Sequence, residues 1–221
     1  MTASDWATLA DLATALGTLV LAIATFSAIR SANRSARVAE RALLIGVRPL
    51  LAPTRREDPA LKVNYGDDKW MLLPGGSGAA EVGGGDGTMG PRDGVVYLAV
   101  PLRNAGSGLA VLHGWIFYPE WHRSEQPPRP EDFQPQTRDL YVPAGDIGYW
   151  QGTIRDPHDA RYEAARKVIE AREPWTVELL YGDQEGGQRA VTRITALPHA
   201  DHWIASQSRH WSIDQPDPRR R

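Results

Sequence analysis

The sequence predicts a mainly β domain, built as a sandwich of short strands, that follows one long N-terminal helix. An apolar run of eighteen residues, from Leu12 to Ile29, contains no charged side chain and predicts that helix. Beyond Pro49, short segments alternate apolar and polar residues between loops rich in glycine and proline, which is typical of a β-sandwich. Seven of the eight tryptophans follow residue 69, which favours either a β-rich core or a large aromatic surface.

The apolar run has the length and the flanking charges of a membrane anchor. Eighteen residues are near the minimum for crossing a hydrocarbon core about 30 Å thick. Asp5 and Asp11 precede the run, and an excess of arginine follows it at Arg30, Arg34, Arg37 and Arg41. By the positive-inside rule, we expect a single-pass protein of the inner cell membrane that contacts the bilayer through residues 12–29. Its N-terminus would lie outside and its C-terminal domain in the cytoplasm.

Two other interpretations of the run differ in what they require of its surroundings. A cleaved signal peptide carries its positive charge before the apolar stretch, and this chain reverses that order. A buried core helix of a soluble domain fits the moderate hydrophobicity of a segment rich in alanine and threonine. Apolar residues surround this helix on all sides instead of forming one stripe, so the anchor is the favoured interpretation.

The helix is expected to continue past the apolar run, because no proline or glycine occurs between Ser27 and Ile45. At about 100° per residue, the four arginines cluster on one face of this segment. Gly46 and the step before Pro49 then end the helix, so residues 1–46 form a transmembrane anchor with a juxtamembrane helix. The face opposite the arginines carries small and apolar residues at Ile29, Ala32, Ala36, Ala39 and Leu43.

Two functions fit these two faces. The arginines would bind anionic head groups at the membrane surface, each contributing about 1 kcal/mol. The alanine face would let two copies of the helix approach closely in a weak homodimer, helped inside the bilayer by the pair Ala13 and Gly17. A solvated helix behind a stop-transfer flank needs neither function and stays open as the simpler interpretation.

Residues 47–213 are predicted to form the β-sandwich domain, and residues 214–221 a disordered polar tail. One short helix over residues 157–172 is indicated by Asp156 as N-cap and Pro157 as the first helical residue. The predicted strands are Leu50–Thr54, Lys69–Leu73, Val95–Arg103, Ala110–Tyr118, Asp139–Val142, Ile147–Ile154, Trp175–Tyr181, Ala190–Leu197 and Trp203–Ile213.

A glycine-rich stretch lies between Gly75 and Gly94. It lacks the lysine and the hydroxyl residue of a phosphate-binding P-loop, and no helical pattern follows it. We therefore expect a flexible surface loop at this place.

Three short motifs carry a resemblance to a known type of protein. They are Arg48-Pro49-Leu50, the turn Asn104-x-Gly106-x-Gly108-x-Ala110 and the hairpin Tyr181-x-Asp183-x-x-Gly186. The chain resembles uncharacterised bacterial single-pass membrane proteins that have an N-terminal anchor, an arginine-rich juxtamembrane helix and an immunoglobulin-like β-domain. The resemblance implies this fold and topology, and it implies no activity because a fold does not determine a function.

Few residues are candidates for catalysis or metal binding. The chain has no cysteine, which excludes disulfides, thiolate metal ligands and cysteine nucleophiles. His199 and His202 form the best metal-like pair, but zinc needs a third protein ligand, and no metal site is predicted. Glu120 and His122 lie where a strand ends, and such a pair would act as general base and orienter. His113 is expected in the core, on the face of its strand that also carries apolar residues.

The remaining motifs do not complete a site. Ser107 lies between two glycines but lacks the spacing of a nucleophile elbow, and Val111 stands where a dinucleotide fingerprint needs glycine. A net charge of −2 does not predict nucleic-acid binding, and no cofactor is predicted. The terminal arginines 219–221 would contact phosphate or lipid unless the terminus is solvated.

Three functions remain open at this point. The favoured one is a membrane-tethered cytoplasmic module that binds a protein partner or scaffolds an assembly. The second is a ligand-binding or sensory domain that uses the tryptophan-rich strands and the glycine loop, and the third is a hydrolase at the membrane surface. An exposed aromatic patch would favour the first, whereas a concave pocket lined by tryptophan would favour the second.

Overall fold

The computed structural model describes a chain that divides into two units, one of residues Met1–Gly46 and one of Val47–Arg221. Within them, the structure describes residues 3–66, 69–73, 81–83, 94–199, 202–217 and 219. Most of the predicted glycine-rich loop between Gly75 and Gly94 lies outside the described residues.

The N-terminal unit is one continuous helix, α1, from Ala3 to Gly46. Its 44 residues correspond to about 66 Å at a rise of 1.5 Å per residue. The stretch Ala10–Leu44 is long and apolar enough to cross a membrane. None of its most apolar eighteen residues is buried in the structure. A core helix of a soluble domain would be mostly buried, so α1 does not have the burial of a core helix.

The second unit is mainly β, as the alternating pattern predicts. Helix α2 spans Ala160–Ala171, and a short 3₁₀ helix spans Pro130–Asp132. The strands are β1 Leu51–Pro53, β2 Leu61–Asn64, β3 Trp70–Leu73, β4 Glu81–Gly83, β5 Val96–Asn104, β6 Ala110–Tyr118, β7 Gln134–Val142, β8 Ile147–Ile154, β9 Trp175–Gly182, β10 Ala190–His199 and β11 His202–Ser212.

Three antiparallel sheets are built from these strands. One has five strands in the order β11-β10-β9-β6-β7, and two have three strands, in the orders β1-β5-β8 and β2-β3-β4. The five-stranded sheet and the β1-β5-β8 sheet contribute to one hydrophobic core, together with α2. Trp115 of β6 and Trp150 of β8 meet there with their ring centroids 5.3 Å apart. The apolar face of each sheet is thereby removed from water.

Strand β5 is buried on both of its faces. Its residues Leu98 and Val100 belong to the main core, whereas Tyr97 and Ala99 pack into a second cluster with side chains of β2 and β3. Tyr65 belongs to that second cluster and donates a hydrogen bond to the Leu98 carbonyl over 2.8 Å. The sequence pattern predicts β3 but neither β2 nor β4, and β4 lies inside the glycine-rich stretch that the sequence predicts to be a loop.

Strand β6 corrects the predicted position of His113. The pairing register shifts between Leu112 and Gly114 on both neighbouring strands, so His113 occupies a β-bulge. The extra residue brings Leu112 into the core together with Trp115, whereas His113 is exposed. The prediction of a core histidine here is wrong, because strict alternation does not survive a bulge.

Helix α2 begins three residues later than predicted, at Ala160 instead of residue 157. Asp156, the predicted N-cap, accepts a hydrogen bond from the His158 amide in a turn before the helix. The actual N-cap is Asp159, whose carboxylate accepts from the Arg161 amide over 2.9 Å. The buried face of helix α2 carries Ala165, Val168 and Ile169.

Asn104, at the end of β5, is completely buried and uses its whole side chain to join neighbouring segments. Its Oδ1 accepts hydrogen bonds from the amides of Leu50, over 3.1 Å, and Gly106, over 3.0 Å. Its Nδ2 donates to the carbonyls of Gly108, over 2.7 Å, and Val142, over 2.9 Å. The side chain therefore connects the segment before β1, its own turn and the end of β7.

The glycines of the same turn allow the segment before β1 to lie directly against it. A Cβ atom at Gly106 would overlap the Arg48 carbonyl oxygen, and one at Gly108 would overlap the Val47 carbonyl oxygen. The Ser107 amide donates to that Arg48 carbonyl over 3.1 Å. The turn motif and the Arg48-Pro49 step, noted separately in the sequence, are thus two sides of one contact.

We predict that Asn104→Ala lowers the free energy of unfolding by about 3 kcal/mol, because it leaves several buried backbone groups without partners. The measurement is urea unfolding of the full chain in detergent, followed by fluorescence of the core tryptophans. Asn64→Ala is the matched control, since Asn64 is exposed and its Oδ1 accepts one hydrogen bond, from the Gly66 amide. Equal losses for the two variants would contradict the role assigned to Asn104.

Candidate functional site

The two predicted faces of α1 are both uncovered within the N-terminal unit. The side chains of Arg30, Arg34 and Arg37 are exposed, and Arg41 lies in the same helix with a side chain outside the described set. On the other face, Ile29 is 55% and Leu43 is 72% exposed. The small residues of the association face, Ala13, Gly17, Ala32, Ala36 and Ala39, are also exposed.

His199 and His202, the predicted metal-like pair, lie in a hairpin, and the side chain of His202 is outside the described set. They lie opposite each other across the hairpin, at the end of β10 and the start of β11. Among the described residues, no group of three or more His, Cys, Asp or Glu side chains is arranged to hold a metal. Pro198 lies within β10, although its presence suggests a loop at the sequence level.

The tryptophans of the second unit mostly belong to hydrophobic clusters. Trp115, Trp150, Trp175, Trp203 and Trp211 are all buried, whereas Trp121 is 47% exposed. Trp175 packs against Trp203 with ring centroids 6.4 Å apart. Of the two sequence alternatives, the tryptophans therefore support a β-rich core, and the described residues show neither a broad aromatic patch nor a pocket lined by tryptophan.

The backbone groups of Glu120 and His122 both bind the side chain of Thr176. The Thr176 hydroxyl donates to the Glu120 carbonyl over 2.8 Å and accepts from the His122 amide over 3.1 Å. The His122 ring stacks on Tyr118 with centroids 3.8 Å apart. Burial and the nearby Arg193 guanidinium lower the pKa of His122.

A buried ion pair lies beneath this segment, on the face of the five-stranded sheet opposite the main core. Arg193 of β10 donates from Nε to Glu178 of β9 over 2.7 Å, and the two residues face each other in the strand register. Tyr118 donates to the second carboxylate oxygen over 2.8 Å. Burial and the Glu178 charge raise the pKa of Tyr118. In the alternating sequences of β9 and β10, Glu178 and Arg193 occupy polar positions. The sequence pattern does not indicate that these two side chains are buried.

A small pocket of about 260 Å³ lies among the described residues of the second unit and is a candidate binding site. It is lined by the first residues of the unit, the end of β11 and the C-terminal segment. Arg219 donates from Nη2 to the His210 carbonyl over 2.9 Å and forms an ion pair with Asp217. Asp214, predicted as the start of a disordered tail, accepts hydrogen bonds from Arg189. The lining residues are Arg48, His210, Ser212, Gln215, Pro216, Asp217 and Arg219.

His210 is held by hydroxyl groups from the neighbouring strands. Its Nδ1 lies 3.2 Å from the Thr192 hydroxyl and 3.4 Å from the Tyr181 hydroxyl. The Tyr181 hydroxyl also accepts from the Leu51 amide over 3.1 Å. Burial, with the positive charges of Arg48 and Arg219, lowers the pKa of His210 to about 4. The imidazole is therefore neutral at pH 7.

Sequence reasoning does not bring this pocket together, since its members stand at positions 48 and 210–219 of the chain. Arg48 is noted in the sequence as part of a motif, and Arg219 as a terminal arginine with phosphate or lipid as its candidate contact. The hydrogen bonds of Leu51 with the hydroxyls of Tyr181 and Thr192 hold β1 against the five-stranded sheet, and this contact places Arg48 beside the end of β11. Comparison with known proteins adds no relative, because no family model, no curated protein and no solved structure matches this chain.

We predict that the stability of the chain falls between pH 6.5 and pH 4 and that His210→Asn removes part of this fall. The unfolded histidine takes up a proton near pH 6.5, whereas folded His210 does so near pH 4, so acid favours the unfolded chain in this interval. Allowing for solvent screening of the partly exposed ring, the contribution is about 2 kcal/mol at pH 4.

The measurement is the urea midpoint of the full chain as a function of pH. His113 and His122 also have lowered pKa values and act in the same direction, so the difference between parent and variant is the quantity compared. Parallel pH profiles for the two proteins would show that His210 titrates normally.

Proposed function

We propose that this protein is a membrane-tethered interaction or scaffolding module, with α1 as its single membrane anchor. The observation that carries the proposal is the apolar stretch of α1, which is long enough to cross a bilayer and buries no residue in the structure. An exposed apolar surface of this size needs a non-aqueous environment. The arginines after residue 29 support a cytoplasmic position for the second unit.

We further propose that the second unit is an immunoglobulin-like β-sandwich. Two antiparallel sheets contribute to one core, and both contain neighbouring strands that are not consecutive in the chain, as Greek-key connections produce, which supports this assignment. A stable β-domain at the end of a membrane helix is well suited to binding another protein.

Membrane topology provides the first test. Because the chain lacks cysteine, single cysteines at Ser4 and Ser208 are unique labelling sites. In intact cells, we expect an impermeant thiol reagent to label position 4 and not position 208, while permeabilised cells show label at both. Labelling of position 208 alone in intact cells would show that the orientation is the opposite of the proposed one. Equal labelling of both positions would contradict the proposal that α1 crosses the membrane.

We also propose that α1 pairs weakly with a second copy through the face that contains Ala32, Ala36 and Ala39. Small side chains permit close approach of two helix backbones, and Gly17 has open space around its Cα. Alanine contributes little contact area, so the pair depends on confinement to the plane of the membrane. The arginines lie on the opposite face, where salt screens their mutual repulsion.

Disulfide crosslinking in membranes tests this association. We expect Ala36→Cys to crosslink several-fold faster than Arg34→Cys, because the first lies on the proposed contact face and the second on the opposite face. Both side chains are exposed in the structure, so accessibility does not distinguish them. Equal rates would indicate random collision and would contradict the dimer.

A further inference from the structure

The pocket between Arg48 and the C-terminal segment carries a surplus of positive charge. Arg219 is paired with Asp217 through Nε and Oδ1, 2.9 Å apart. Arg48 has one polar side-chain contact among the described residues, from Nη1 to the Gln215 amide oxygen at 3.5 Å. That distance is at the limit of a hydrogen bond, so most of the donors of the Arg48 guanidinium have no partner among the residues that the structure describes.

Neutral donors lie beside this charge. His210 uses Nδ1 toward the buried hydroxyls of Tyr181 and Thr192, so its other ring nitrogen, Nε2, has no partner among the described residues. Ser212 adds a hydroxyl group to the lining. With a neutral imidazole, the charged lining groups are two guanidinium ions and one carboxylate, which leaves one net positive charge.

We propose that this pocket binds a small oxyanion of the phosphate class. A planar guanidinium with free donors matches the oxygens of such an anion in a bidentate geometry. The pocket volume of about 260 Å³ corresponds to roughly nine water molecules at ~30 Å³ each, which is room for a phosphate group and part of what it is attached to. The guanidinium ions disfavour a metal cation, and the polar lining disfavours an apolar ligand.

This inference does not rest on the proposed membrane anchor, because every lining residue belongs to the second unit. The phosphate has two candidate sources, a soluble phosphate compound or a phospholipid head group. Both present the same oxygens to Arg48, so the experiment below separates them.

The first experiment titrates inorganic phosphate into the full chain in dodecyl maltoside, a detergent without phosphate, against chloride at equal ionic strength. The readout is the ring proton signal of His210 in the nuclear magnetic resonance spectrum. Tryptophan fluorescence checks that each variant is folded. We expect a saturable shift of the His210 signal with phosphate and none with chloride.

Substitutions decide whether the shift reports the pocket. Arg48→Gln should weaken phosphate binding at least tenfold, and Arg48→Lys should weaken it less, because lysine keeps the charge and loses the planar fork. The backbone carbonyl of Arg48, which accepts from the Ser107 amide, remains in both variants. Arg56→Gln is the control, since it removes an exposed arginine that does not line the pocket, and should change binding less than twofold.

The source is separated by a second arm, in nanodiscs of phosphatidylcholine with or without phosphatidylglycerol. If phosphatidylglycerol alone shifts the His210 signal, and Arg48→Gln returns the signal to its position in phosphatidylcholine, the result supports a lipid head group as the source of the phosphate. A signal that phosphatidylglycerol leaves unchanged, but that moves when inorganic phosphate is added to the same nanodiscs, supports a soluble compound. Absence of a saturable shift in both arms, or equal weakening by Arg56→Gln and Arg48→Gln, would overturn the proposal.

Discussion

The buried amide of Asn104 is the contact on which the second unit depends. Its four hydrogen bonds reach the segment before β1, its own turn and the last residue of β7. The backbone of the same residue donates to the Asp146 carbonyl and accepts from the Gly145 amide, which brings in the turn before β8. Because each partner is a backbone group, water would have to replace all of these bonds if the amide were lost. One side chain thereby fixes the relative position of segments from both core-forming sheets.

The second unit also covers strand faces that the sequence pattern would predict to be exposed to water. β5 is covered on both faces, and the outer face of β9 carries Glu178 beneath the segment that follows β6. Glu178 pairs with Arg193, and an isolated member of such a pair would cost about 3–5 kcal/mol. The ion pair therefore favours one register of β9 against β10, in the same way that Asn104 favours one position of β1.

Sequence patterns predict the strands and turns of this fold better than they predict which residues of different elements lie together. The alternation of β5 and β9 and the turn at residues 104–108 follow from local rules, because a strand and its turn are encoded within about ten residues. His113 is misplaced because a bulge changes the period of its strand, and β4 is missed because the glycine-rich sequence around it is typical of a loop. The pocket of Arg48, His210 and Arg219 joins the two ends of the domain, and such a juxtaposition depends on contacts between the two sheets, which local sequence does not encode.

The pocket and the turn that follows Asn104 both contact Arg48. Its carbonyl accepts from the Ser107 amide in the turn, while its guanidinium lines the pocket beside His210. Tyr181 provides a second connection, because its hydroxyl accepts from the Leu51 amide and approaches His210 Nδ1. An anion held by Arg48 and His210 would therefore bind the folded domain and not the unfolded chain, and would stabilise it by RT ln(1 + [L]/Kd). The stabilised contacts are those that hold β1, the first strand after the end of α1 at Gly46.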